Sequence, residues 1–312
     1  MLRTRSALFL ALLIALASGR HLQAAQAFVV ADAKTGYVLQ AQEPQQKRQV
    51  GSLTKIATAM VVLDWAERSG GDLNESVILP PEAFAGISEN LIGFQPGDVI
   101  SLRDLLYAAL VQSDNIAANT LAQHVGRKLT SVVPAQSGDS HPVSVFVGQM
   151  NALAKQLRME RTRFMNPTGM DAKEKPYSTA TDMARLTRYA VQKASFRFYV
   201  SQKNRQISFQ RAGRPQGYQL RNTNELLGVN GIDGVKTGRT ARAGDCLILS
   251  AHRDSEIVKD GARTIVTPRH LIVVMLGSPN RFGEGSQLLA QGWSLYEQWA
   301  AAGRPADPKK LL

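Results

Sequence analysis

The stretch from Ile56 to Ala66 constrains this chain most, because Ile56, Ala59, Met60, Leu63 and Ala66 recur at the spacing of one helix face. A helix patterned this way must be covered by other elements, and Gly70-Gly71 closes it. Its start, Gly51-Ser52-Leu53-Thr54-Lys55, sets a hydroxyl and an amine three residues apart. Residues at i and i+3 share a helix face, so the Lys55 ammonium reaches the Ser52 hydroxyl as base to nucleophile. An ordinary lysine titrates near 10.4 and is protonated at neutral pH. Burial and neighbouring cations are expected to lower Lys55 toward about 7 to 8, and the unpaired amides of the first helical turn favour negative charge at Ser52.

Ser-x-x-Lys also arises by chance, so the pair needs partners. Two follow in order: Ser113-Asp114-Asn115 and Lys236-Thr237-Gly238. The first falls on the connection between two apolar helices, where a polar trio projects into a cleft. Reading Ser113 or Asp114 as a plain helix N-cap accounts for one residue of the three and leaves Asn115 unexplained. Two decoys are set aside on context: Lys34-Thr35-Gly36 reads as a hairpin turn ahead of the nucleophile, and Ser88-Glu89-Asn90 lies in a Gly- and Pro-rich loop.

Around these motifs the chain reads as two N-terminal strands (27–31 and 37–41), the Ser52 helix, and irregular structure with one small hairpin from 71 to 98. A helix capped by Ser101 with Asp104 at its third position follows, and then a second helix through Leu121. A loop at 131–141, a helix at 143–157, turn chemistry at Phe164–Asp171 and a helix capped within Tyr177–Ala184 and running to about Lys193 come next. A strand from Lys236, strands at 246–252 and 270–276 separated by a polar excursion from Arg253 to Thr267, and a helix at 287–301 complete it. The expected fold is α/β (α+β): a central, mostly antiparallel sheet built from both chain ends and flanked by helices, with a helical second lobe and a cleft between.

Composition enters at the ends and the surface. Met1–Arg5 and the apolar run Ala7–Ala17, ahead of Ala24, Ala25 and Ala27, read as a secretory signal peptide over 1–25. The run is short for a transmembrane span of about 20 residues. The expected product is periplasmic or wall-associated, with no stable membrane anchor. The net charge of +12 attracts polyanions, yet it is spread along the chain without the basic helix or aromatic ladder of a nucleic-acid binder. Cys246, the single cysteine, lies in an apolar run and reads as buried and inert; no metal-ligand cluster accompanies it and no cofactor is called for.

With all three motifs placed, the chain resembles the serine D-alanyl-D-alanine carboxypeptidases, low-molecular-mass penicillin-binding proteins of bacterial cell wall metabolism, whose motif set is a known pattern. The resemblance covers roughly 27–302, and it implies one catalytic domain over 26–302 with 303–312 as a short tail. Asn166-Pro167-Thr168-Gly169, Tyr177–Ala180 and Asn222-Thr223-Asn224 ahead of Gly231–Gly238 carry it further. It implies that Ser52 attacks the carbonyl between the two terminal D-alanines of a peptidoglycan stem peptide, Lys55 takes its proton and Ser113 relays a proton to the leaving amine. Asn115 would hold the substrate amide, Lys236 and Thr237 of the Lys236-Thr237-Gly238 motif the terminal carboxylate, and the backbone amides of Ser52 and Arg239 the oxyanion. β-Lactam antibiotics are the implied covalent inhibitors.

Glu160 and Asn166 stand too far apart for the deacylating loop of class A β-lactamases. The chain also ends without the β-rich domain and amphipathic tail common in the carboxypeptidases, which leaves a cross-link-cleaving D,D-endopeptidase as the second reading. A catalytically silent penicillin sensor or wall-binding protein is the third, and a binding module has no need of the Ser52–Lys55 pair.

Overall fold

A computed structural model describes residues 25–130, 141–261 and 263–312; the leader before Ala25 and nearly all of the expected loop at 131–141 lie outside the described residues. In chain order, β1 (Ala27–Asp32) and β2 (Val38–Gln42) precede a 3-10 turn, Gly51–Thr54, that runs straight into α1 (Lys55–Ser69). Next come β3 (Ser76–Ile78), β4 (Val99–Ser101), α2 (Leu102–Val111), α3 (Asn115–Thr130), α4 (Pro142–Gln156), α5 (Ala180–Gln192) and α6 (Ala194–Val200). The chain finishes with β5 (Asn204–Arg211), β6 (Arg214–Arg221), β7 (Ile232–Thr240), β8 (Gly244–Asp260), β9 (Arg263–Ser278) and α7 (Arg281–Ala301).

The expected sheet forms from both chain ends, as five strands in the order β2-β1-β9-β8-β7, antiparallel throughout. β1 is buried along its whole length because the sheet is covered on both faces. Val29, Ile248, Ile272 and Val274 pack toward the helical lobe, and Val30, Leu249, Leu271 and Val273 pack toward Leu289, Trp293 and Tyr296 of α7. Cys246 is buried in the first of these cores, and burial pushes its thiol up to about 11, so it stays protonated and inert.

Three expectations need correction. The second lobe is not simply helical: it carries a four-stranded antiparallel sheet, β3-β4-β5-β6. Most of it comes from a segment whose buried positions, Ile207, Phe209 and Leu220, are isolated between polar residues, so its apolar signal is thin. The small hairpin expected within 71–98 is instead β3 paired with β4, whose partner strand begins just beyond that range. The polar excursion at 253–267 is continuous strand, a β8–β9 ribbon paired out to Asp260↔Arg263. The connection between the paired residues Asp260 and Arg263 begins with Gly261, which takes the positive φ of 58° that a two-residue hairpin turn requires.

Candidate active site

Helix capping brings the motifs together. Ser101 accepts from the Asp104 amide and starts α2. Asp114 Oδ1 accepts from the Ala117 amide at 2.7 Å and starts α3, so the N-cap reading does account for Asp114. Ser113 is forced onto the turn between the helices with φ 68°, a conformation a non-glycine residue rarely holds. Asn115 begins α3 with its side chain turned toward α1.

The Ser52–Lys55 pair forms as the spacing implied. Lys55 is fully buried, and its Nζ lies 2.9 Å from Ser52 Oγ, 2.7 Å from Asn115 Oδ1 and 2.9 Å from the Thr168 carbonyl. Three acceptors match the three protons of an ammonium; a neutral amine keeps two of these bonds and turns its lone pair to the third partner, the serine hydroxyl. Burial lowers the Lys55 pKa to about 7, against the opposing pull of Asp114. The cause is desolvation; neighbouring cations, the other expected cause, are not needed. Asp114 itself is pushed up to about 6, chiefly by burial.

Three glycines let the chain close around this pair. A Cβ on Gly238 would stand 2.7 Å from the Val50 carbonyl oxygen and 3.2 Å from the Ser52 amide, so only a glycine lets β7 lie against the turn that carries Ser52. The Arg239 amide is 3.1 Å from where a Cβ on Gly51 would sit, which brings the Ser52 and Arg239 backbone to the same wall. A Cβ on Gly169 would meet the Gly51 carbonyl oxygen at 1.9 Å. The Asn166 turn, held by Asn166 Oδ1 bonds to the Thr168 and Gly169 amides, can press against Gly51 and Thr54, on either side of Ser52, only because residue 169 has no side chain.

On the β7 side, Lys236 is also buried, its Nζ donating to the Thr237 carbonyl at 3.1 Å. Burial, with Lys55 and Arg281 nearby, holds its pKa well below the ordinary range. Thr237 Oγ1 donates to Thr223 Oγ1 at 2.7 Å. Among the described residues no carboxylate forms an ion pair with Lys55 or Lys236, whereas Arg239 is exposed and pairs with Asp245. Ser113 makes no hydrogen bond to Ser52 or Lys55, and Asn115 spends its oxygen on Lys55, leaving its amide nitrogen for anything entering the cleft.

Two participants carried no role in the sequence reading. Thr168 contributes only a carbonyl, which has no side-chain signature, and Thr223 is a hydroxyl fourteen residues from its partner. Both lie inside motifs already singled out, Asn166–Gly169 and Asn222–Asn224, so the position was signalled and the function was not.

A family model described as D-alanyl-D-alanine carboxypeptidase matches residues 16–260. Among curated proteins, the D-alanyl-D-alanine carboxypeptidase DacC of Escherichia coli is 31% identical over 283 residues, covering 88% of this chain and 62% of the relative. A D-alanyl-D-alanine endopeptidase of Pseudomonas aeruginosa is 34% identical over 227 residues, 71% of this chain and 65% of that one. The chain thus spans a little over three fifths of the length of these two relatives. Among solved structures, the Streptomyces K15 DD-transpeptidase superposes with a TM-score of 0.72 at 26% identity, covering 87% of this chain and 97% of that one. Penicillin-binding protein D2 of Listeria monocytogenes, in its ampicillin-bound form, gives 0.67 at 26% identity over 86% and 97%. These neighbours share the penicillin-binding, β-lactamase-like fold anticipated from the two chain ends.

Proposed function

The chain belongs to the D-alanyl-D-alanine carboxypeptidase family, and on that premise we propose that it is an exported serine peptidase that removes the terminal D-alanine from peptidoglycan stem peptides through an acyl-serine intermediate. The observation that carries this reading is the buried Lys55, held near neutrality in pKa and 2.9 Å from the Ser52 hydroxyl. A base with its pKa near the working pH is what general-base activation of a serine requires.

The substrate carboxylate enters beside Lys236, a buried amine with no carboxylate ion-paired to it among the described residues. Lys236 supplies the charge and Thr237 a hydroxyl; the Thr237 bond to Thr223 exchanges for one to the substrate. Asn115 offers its amide nitrogen to a substrate carbonyl. Ser52 Oγ then attacks the scissile carbonyl carbon, its proton passing to Lys55 Nζ, while the backbone N–H groups of Ser52 and Arg239 receive the developing oxyanion. As the tetrahedral adduct collapses, the C–N bond breaks and a proton reaches the leaving amine by way of Ser113. Water then attacks the ester, its proton is accepted by Lys55, and Ser52 is regenerated.

A second reading, D,D-endopeptidase action on cross-links, is favoured by the 34% identity to the Pseudomonas endopeptidase and uses the same residues on a longer leaving amine. Export rests on the leader. No described helix is long and apolar enough to cross a membrane. The test is to incubate the mature protein with purified muropeptides and identify products by mass. Loss of one D-alanine supports the first reading, splitting of cross-linked dimers the second, and unchanged muropeptides with stable penicillin binding would mean a silent sensor.

A further inference from the structure

Away from Ser52, three adjacent strands converge on a polar cluster that the chemistry above does not use. Asp233 on β7, His252 on β8 and His270 on β9 each bring a ligand-capable atom within 4.8 Å of the other two. Asp233 Oδ2 lies 3.1 Å from His252 Nε2, and the two imidazoles stack with centroids 3.7 Å apart and planes 25° from parallel. Ser250 Oγ, 2.7 Å from His270 Nε2, fixes the orientation of the His270 ring. An aspartate–histidine ion pair accounts for one carboxylate oxygen and one imidazole. It leaves the second imidazole pressed against the first, and it leaves Asp233 Oδ1 buried without a hydrogen bond of ordinary geometry, its neighbour being the Ser250 hydroxyl that already engages His270 Nε2, an arrangement that a cation taking up the lone pair would relieve.

We propose that Asp233, His252 and His270 form a binding site for a borderline divalent cation of the zinc class, separate from the serine site. Two imidazoles and one carboxylate are a donor set that suits zinc, with water completing a tetrahedron. The ligands sit on neighbouring strands of one sheet, where the backbone is already paired, so little ordering is needed on binding. His252 supplies the entry path: its side chain is 42% exposed, against 9% for the His270 residue, and it can leave its stack on His270 to aim its nitrogen at the ion. The bound ion would pin the base of the β8–β9 ribbon to β7, three residues ahead of Lys236.

No linear motif reports this site, because its ligands fall on three separate strands. The test is isothermal titration of the metal-stripped mature protein with zinc chloride, followed by cobalt substitution to read the ligand field from visible absorption. One zinc per chain is expected. His252→Ala and Asp233→Asn should each weaken binding by at least the roughly 10- to 100-fold that loss of a mere supporting contact costs a metal site. His124→Ala, a histidine on α3 beside Glu75, should leave binding unchanged. Labelling by a fluorescent penicillin checks that each variant is folded, and if His270→Ala fails that check the half-exposed His252 still decides. Absence of zinc binding at micromolar concentration, or equal binding by wild type and His252→Ala, overturns the proposal, and neither result bears on the serine chemistry.

Discussion

Two buried charges, Asp98 and Lys55, follow opposite rules. Asp98 is matched atom for atom: Arg211 donates Nε to Oδ1 at 2.9 Å and Nη2 to Oδ2 at 2.7 Å, and the Gln95 amide donates to Oδ2. Burial alone would raise the Asp98 carboxyl; the Arg211 fork and the Gln95 amide outweigh it and hold it below the usual range. Among the described residues Lys55 has hydrogen-bond acceptors yet no carboxylate in an ion pair, and the buried Lys236, which feels its charge, has none either. The first arrangement holds β5 to the loop before β4. The second stores an unfavourable charge in the fold and releases it when a proton leaves or an anion arrives, which is how a site gives up stability to gain reactivity.

The sharpest way to break this comparison is to remove the reactive pair. Ser52→Ala and Lys55→Met should each lower D-alanine release from a D-Ala-D-Ala peptide by on the order of 10³-fold or more, and the double variant should lose little beyond that because the two act as one unit. Additive losses in kcat/KM would sink the pairing. Next in size is the behaviour with penicillin: among the described residues no carboxylate hydrogen-bonds Ser52 or Lys55, and the opened lactam keeps its leaving nitrogen tethered. Deacylation should then lag acylation by on the order of a thousandfold, about 4 kcal/mol in barrier, and intact-mass spectra should hold one adduct on the Ser52 peptide for minutes. Rapid turnover with no trapped adduct would make the protein a β-lactamase instead.

Smaller effects sharpen the contrast. Lys55 titrates at about 7 when folded against 10.5 when free, so the unfolded chain binds more protons between those values and stability rises with pH across that window. Lys55→Met should therefore exceed the parent in denaturant-derived stability by on the order of a few kcal/mol below pH 7 and converge with it toward pH 10.5. In the parent, kcat/KM should fall as pH drops through about 7, because protonated Lys55 cannot accept the serine proton. Asp98→Ala should do the reverse of Lys55→Met: lower the thermal midpoint by several degrees while folded molecules keep their D-alanine release. A variant at Asp98 that kept its midpoint would remove the structural half of the comparison.

Legibility in the sequence followed the size of each apolar signal. The Ile56–Ala66 stripe and the runs in β1, β8 and β9 feed the two main cores, so their spacing reports the central sheet and α1 directly. β5 and β6 bury isolated positions on one face and read as polar chain. The β8–β9 ribbon escaped because its Ile257, Val258, Ile265 and Val266 are exposed and lie among charged residues, which hid the turn that Gly261 opens. In the site, Ser52, Lys55, Asn115 and Lys236 were visible because their chemistry lies in their side chains. The Thr168 carbonyl was not, because every residue has a carbonyl and only the fold says where it points.

What the sequence by itself determined is therefore local: a serine and a lysine one turn apart, a capped turn holding Ser113 and Asn115, and a glycine at 238 and at 169 with no side chain to obstruct its neighbour. These follow from bond geometry and spacing along a single stretch of chain. Only the tertiary structure decided the rest. It set Lys55 in a solvent-free interior that takes its pKa to about 7, brought Asn115 to it across sixty residues and Thr168 across 113, and gathered Asp233, His252 and His270 from three strands. Desolvation and long-range coordination depend on what surrounds a group in space, and that is not written in the residues beside it.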